Sequence, residues 1–91
     1  MKKILITEFM EQDSVDSISE VFDVMYDPSL HENVERLSAQ IALVEAVIVR
    51  NKTQLNEALL LKATNLRFVG RLGVGLDNID TTYCSNNNIF V

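Results

Sequence analysis

Short continuous apolar runs alternate along this chain with segments whose apolar positions recur every three or four residues. "KILIT" (3–7), "AVIVR" (46–50) and "LRFVGRL" (66–72) are runs of the first kind. The first two predict buried strands and the third a further strand. "FDVMY" (22–26) alternates instead and stops at Asp27-Pro28, which reads as a strand closed by a turn. Val15, Ile18, Val21 and Phe22 fall at helical spacing within 14–22, with Asp13 or Ser14 placed to cap. Val34, Leu37, Ile41 and Val44 mark a second helix over 32–44. A third covers 53–63, with Thr53 as its cap. Asp80 caps a fourth, which runs through 88 and leaves by an asparagine turn. "IFV" (89–91) opens a fifth strand.

Strands that alternate with helices predict an α/β fold: a parallel sheet with helices on both faces. The expected arrangement is flavodoxin-like, with strand order 2-1-3-4-5, truncated at strand five. The chain ends with that strand, so the crossover helix after it is missing. This ending suggests a cut chain or a truncated gene product. An uncovered sheet edge there predicts marginal stability or self-association, so a homo-oligomer is an expected state.

Composition narrows the partners. The chain is 47% apolar and 23% charged, as in ordinary globular proteins. A net charge of −5 argues against non-specific binding to nucleic acid or to an anionic membrane. No run is long enough for a signal peptide or a membrane span. The single cysteine, Cys84, excludes an internal disulfide and is expected to be packed in the core. A cytoplasmic location is the expectation.

The chemistry concentrates in "GRLGVGLDNID" (70–80). Gly70, Gly73 and Gly75 are spaced G-x-x-G-x-G, the reverse of the dinucleotide fingerprint, and no Walker lysine follows. Two readings remain for a glycine loop after the carboxyl end of a parallel strand. One is a tight exit that needs positive φ. The other is an anion nest made by the amides of Gly73, Val74 and Gly75. Arg50 and Arg71 close neighbouring strands and suit a multiply anionic molecule. Equally, Arg71 pairs with Asp77 or Asp80 while Arg50 is solvated. Asp80 reads as a cap and Asp77 as a loop-fixing acid. His31 reads as an exposed residue at a helix start. Glu8, Glu11 and Asp13 form an acidic cluster after strand one, but no metal site is expected.

"VIVRNKT" (47–53) followed by "LRFVGRLGVGLDNID" (66–80) resembles the D-isomer-specific 2-hydroxyacid dehydrogenases. With "LITEFM" (5–10), these motifs are similar to the (S)-sulfolactate and phosphoglycerate dehydrogenase branch. The resemblance covers nearly the whole chain and implies a single, partial substrate-binding domain over 1–91. It implies that Arg50 and Asn51 face the substrate and that the backbone at Val74 and Gly75, with Gly73, holds its carboxylate. It implies that Val74 also borders the nicotinamide and that Arg71 meets a substrate phosphate or sulfonate. The family's NAD-binding domain and its catalytic arginine, glutamate and histidine have no counterpart in these residues. The resemblance therefore implies a substrate-domain fragment of an NAD-dependent oxidoreductase acting on a small 2-hydroxy or 2-oxo acid, inactive alone and not expected to bind NAD. The alternative is a stand-alone, non-catalytic α/β module that binds small anions.

Overall fold

A computed structural model describes residues 1–91. Strands β1 (Lys3–Ile6), β2 (Asp23–Tyr26), β3 (Ala46–Val49) and β4 (Phe68–Arg71) form one sheet in the order β2-β1-β3-β4. All three pairings are parallel. Leu5, at the centre of β1, pairs with Met25 on one side and Val47 on the other. Val47 in turn pairs with Val69. The four-strand part of the expected order is present.

The strand residues point alternately to two apolar layers. Leu5, Val47, Val49 and Val69 face the larger core, which also holds Leu37 and Ile41 of helix α2 (Val34–Ile41) and Leu59 and Leu60 of helix α3 (Glu57–Leu60). Cys84 of helix α4 (Thr81–Asn86) lies in the same core. Ile4 and Ile6 face the other way, onto Val15 of helix α1 (Gln12–Ser19) and Met10. Ala46, Ile48 and Leu72 are only partly buried on that side. Helices thus cover both faces, unequally. Beyond them, Phe68 and Phe90 stack with ring centroids 5.7 Å apart and stay 51% and 67% exposed.

Strand five is not formed. Residues 89–91 contribute one parallel bridge, Phe68 with Phe90. Val69 donates to the Phe90 carbonyl at 2.7 Å, and Phe90 donates to the Arg67 carbonyl at 2.8 Å. The segment lies beside β4, where the expected order puts it, but a single bridge is not a ladder.

The helices are shorter than the periodicity predicts. Apolar spacing marks buried positions such as Val15, Leu37, Ile41 and Val44 whether or not the backbone between them is helical, but Val21 and Val34, counted on the same stripes, are exposed. A 3₁₀ turn (Leu30–Glu32) precedes α2, and Asn33 caps that helix by accepting from the Arg36 amide. Glu11, with no side-chain capping bond, stands before α1, so Asp13 and Ser14 lie inside the helix. Asn56 caps α3 through the Leu59 amide, and Thr53 is not a cap. Leu55, counted above as helical, instead forms an isolated parallel bridge with Ile79. Asp80 does cap α4, accepting from the Tyr83 amide at 3.0 Å. Asn88, at φ 58°, makes the expected exit turn.

Leu5 is 0% exposed and sits where β1, β3 and the larger core meet. Leu5→Ala is expected to cost about 2–5 kcal/mol, through lost burial and the cavity left behind. Leu61→Ala, at a position 60% exposed, is expected to stay within about 0.5 kcal/mol. Urea midpoints of the two variants test this contrast.

Candidate functional site

Three chain exits meet at the carboxyl edge of the sheet. β1 leads into Thr7-Glu8, β3 into Arg50–Thr53, and β4 into Leu72–Gly75. In α/β sheets this edge is where ligands bind.

The segment after β3 has no regular structure, so its backbone groups need other partners. The Glu8 carboxylate supplies them from one side. Its Oε2 accepts from the amides of Arg50 at 2.9 Å and Thr53 at 2.8 Å, and from the Thr53 hydroxyl at 2.7 Å. Its Oε1 accepts from the Lys52 amide at 3.0 Å. The single Thr53 hydroxyl proton goes to Glu8, so Thr7, 2.7 Å away, is the donor in the Thr7–Thr53 hydroxyl pair. Asn78 holds the segment from the other side. Its Nδ2 donates to the carbonyls of Arg50 at 2.7 Å and Thr53 at 2.9 Å. These two bonds orient the amide and leave its buried Oδ1 without a partner.

Glu8 is 3% exposed. Burial pushes its carboxyl pKa up, but the hydrogen bonds from Thr53, Arg50 and Lys52 outweigh burial and hold it below the ordinary 4.5. The side chain read above as one of an acidic cluster after strand one is therefore an internal anchor. No group of three histidine, cysteine or acidic side chains is arranged to hold a metal ion.

The glycine loop turns through two left-handed residues. Gly73 and Gly75 adopt φ of 105° and 86°. The amides of Gly73, Val74 and Gly75 have no backbone partner, and the Val74 side chain is 92% exposed. Arg71 folds over this loop: a Cβ on Gly73 would lie 2.6 Å from Arg71 Nη1. That nitrogen donates to the Leu72 carbonyl at 2.8 Å, while the buried Nε has no partner. Arg71 thus makes no ion pair with Asp77 or Asp80, contrary to the pairing considered above. Asp80 is engaged as a cap, and Asn78 fixes the loop in the role given to Asp77.

Asn51, Gln54, Arg71, Asp77 and Asn78 line an open cleft of about 290 Å³. Two expected site residues, Asn51 and Arg71, therefore come together, and Gly73 touches Arg71. Arg50 does not line the cleft. Val49 pairs with Arg71 and faces the larger core, so the strand period sends Arg50 toward the opposite face, where it is exposed. Gly73, Val74 and Gly75 stand outside the cleft lining. The sequence reading gives Glu8 and Thr53 other roles, an acidic cluster and a helix cap, and passes over Gln54 and Asn78. Only Asn78 carried a signal there, its place in "LDNID".

Two other expectations meet different outcomes. His31 is not exposed: its side chain is 14% accessible, and Nδ1 lies 3.2 Å from the Thr7 carbonyl. It lines a cavity of about 250 Å³ with Lys52 and Lys62. Cys84 is fully buried, as expected. Burial first, then the Asp80 charge, pushes its thiol pKa up, so it remains an inert thiol.

Because the Glu8 pKa is lower folded than unfolded, its stabilisation is complete above 4.5 and is lost as pH falls through the lower native value. Urea midpoints measured downward from pH 5 are expected to fall in wild type. In Glu8→Gln this contribution to the slope disappears.

The comparisons with known proteins agree with this architecture. The family described as D-isomer specific 2-hydroxyacid dehydrogenase, catalytic domain, matches residues 4–91. An (S)-sulfolactate dehydrogenase from Chromohalobacter salexigens is 43% identical over 91 residues, which are all of this chain and 29% of that protein. A D-3-phosphoglycerate dehydrogenase from Methanocaldococcus jannaschii is 33% identical over the whole chain and 17% of its own length. The chain thus spans less than a third of these relatives. Among solved structures, a Pyrococcus horikoshii protein superposes with a TM-score of 0.90 at 22% identity, covering 100% of this chain and 28% of that one. An NAD⁺-bound 3-phosphoglycerate dehydrogenase from Entamoeba histolytica gives a TM-score of 0.80 at 25% identity, over 97% of this chain and 31% of its own. The parallel sheet, the glycine loop and these matches together place the chain in the D-isomer-specific 2-hydroxyacid dehydrogenase family.

Proposed function

We propose that this chain is the substrate-binding portion of an NAD-dependent dehydrogenase that acts on a small 2-hydroxy acid bearing a second anionic group, sulfolactate or phosphoglycerate in type. The observation that carries this reading is the glycine loop beside Arg71: three unpartnered amides at 73–75, two positive-φ glycines, and a guanidinium with a free Nε. Backbone N–H groups suit a carboxylate, and a guanidinium suits a phosphate or sulfonate. In this reading Gly73, Val74 and Gly75 hold the C1 carboxylate. Asn51 adds an amide from the facing loop, Arg50 contributes positive charge at the rim, and Arg71 takes the second anion. The family relation supports the reaction class, hydride exchange between a nicotinamide and C2 of the acid.

The residues present do not fit the dinucleotide itself. The chain's three glycines lack the fingerprint spacing, and the short helix that follows, α4, has its N-terminus already capped by the Asp80 side chain. Val74, with its exposed side chain, is the one residue assigned to border a nicotinamide. The 91 residues by themselves are accordingly assigned substrate recognition and no hydride transfer.

The test uses the complete gene product containing this chain, with sulfolactate, phosphoglycerate and lactate as substrates. Losing one charge-assisted contact costs about 1.5–3 kcal/mol, or roughly ten- to a hundredfold in affinity. Arg71→Ala is expected to raise KM by that order for the doubly anionic acids and to leave lactate nearly unchanged. Equal changes for all three acids would take the second-anion role away from Arg71. Binding without turnover of any of them would favour the non-catalytic anion-binding module.

A further inference from the structure

The buried carboxylate of Glu8 belongs to no step of the reaction class above, yet it accepts more hydrogen bonds than any other side chain in the protein. We infer that Glu8 is a positioning residue for the substrate site: by gathering the amides of Arg50, Lys52 and Thr53 it sets the backbone from which Asn51 is presented to the acid. The inference rests on the proposed substrate role of Asn51.

The geometry carries it in three steps. Amides on both sides of Asn51 end on the same carboxylate, Arg50 at 2.9 Å and Lys52 at 3.0 Å. Asn51 itself makes no side-chain hydrogen bond within the chain and lines the cleft, so its direction follows from its backbone. Asn78, which holds the Arg50 and Thr53 carbonyls from the other side, lines the same cleft and continues from the glycine loop. The loops after β3 and β4 are thereby held in one register, with Glu8, just past the end of β1, as the fixed point. The Thr7 hydroxyl, donating to Thr53, stiffens that point.

Glutamine has the shape of glutamate but puts an NH₂ where one oxygen was. With its oxygen at the Oε2 position it keeps the bonds from Arg50 and Thr53 and the 3.2 Å branch from Lys52, but puts an N–H where the Lys52 amide's shorter 3.0 Å acceptor was; reversed, it loses more. Glu8→Gln is therefore a partial loss and Glu8→Ala a complete one. A purely structural role lowers the folded fraction, which reduces apparent kcat and leaves KM unchanged. A positioning role raises KM in the molecules that are folded.

The experiment measures kcat and KM for sulfolactate in the complete gene product. Its variants are Glu8→Gln, Glu8→Ala, Asn51→Ala and, as control, Glu11→Gln, whose side chain makes no capping bond. Expected are a KM several-fold higher for Glu8→Gln, roughly tenfold or more for Glu8→Ala, and unchanged for Glu11→Gln. If the alanine variant does not fold, Glu8→Gln alone decides, read beside the backbone amide shifts of residues 50–53. An unchanged KM in folded Glu8→Gln, with Asn51→Ala impaired, overturns the inference and leaves the proposed function standing. If Asn51→Ala also leaves KM unchanged, the substrate role of Asn51 fails, and the inference falls with it.

Discussion

One buried negative charge organises the working edge of this sheet. A carboxylate taken out of water is costly unless its lone pairs are met, and Glu8 meets that demand with amides and a hydroxyl from the segment after β3. The dependence runs both ways. Without Glu8, three amides of that segment lose their acceptor, because no ladder or helix reaches them. Without the segment, Glu8 is an unpaired charge in the core. Each partner satisfies polar groups that the other would leave bare, and the bonds tie an irregular segment to β1's exit.

The parallel register makes this arrangement reachable. Ile6 pairs with Ile48, so the residues that follow, Thr7-Glu8 and Val49-Arg50, leave the sheet side by side. Val49 pairs with Arg71, which brings the β4 exit alongside in the same way. Asn78 then returns from the glycine loop to the β3 exit, and Leu55 donates to the Asn78 carbonyl at 2.8 Å. Three loops far apart in the chain become one surface because their strands end level. The apolar residues beneath, Leu5, Val47, Val49 and Val69, hold the strands level and take no part in the site.

What could be read from sequence follows from how local each interaction is. Strands such as "KILI" and "AVIV" announce themselves because they set apolar side chains against helices on both faces, which calls for near-continuous apolar runs. The Asp80 cap is legible because its partner, Tyr83, is three residues away. Glu8 and Thr53 are 45 positions apart, and each looks locally like something commoner: an acid in a polar turn, and a threonine before a helix. Thr53 was misassigned as a cap for that reason. Arg50 and Arg71 were rightly put on neighbouring strand ends. The alternation that sends their side chains to opposite faces was also in the sequence, but it matters only once the register is known.

The same contrast separates the two anion-binding devices of the proposed site. The amides at 73–75 get their direction from backbone dihedrals, so a carboxylate held there meets donors that need no rearrangement. Gly75 has open space where a Cβ would go, so its glycine serves the positive φ alone, whereas Gly73 also leaves room for Arg71. Arg71 is held more loosely, by one bond to its neighbour's carbonyl, with Nε unsatisfied. A second anion that draws Arg71 away exchanges one neutral acceptor for a charged one and can satisfy the orphan nitrogen as well. Under the proposed function, the loop amides would take the carboxylate common to 2-hydroxy acids and Arg71 the group that differs among them, so specificity could change at Arg71 without rebuilding the loop.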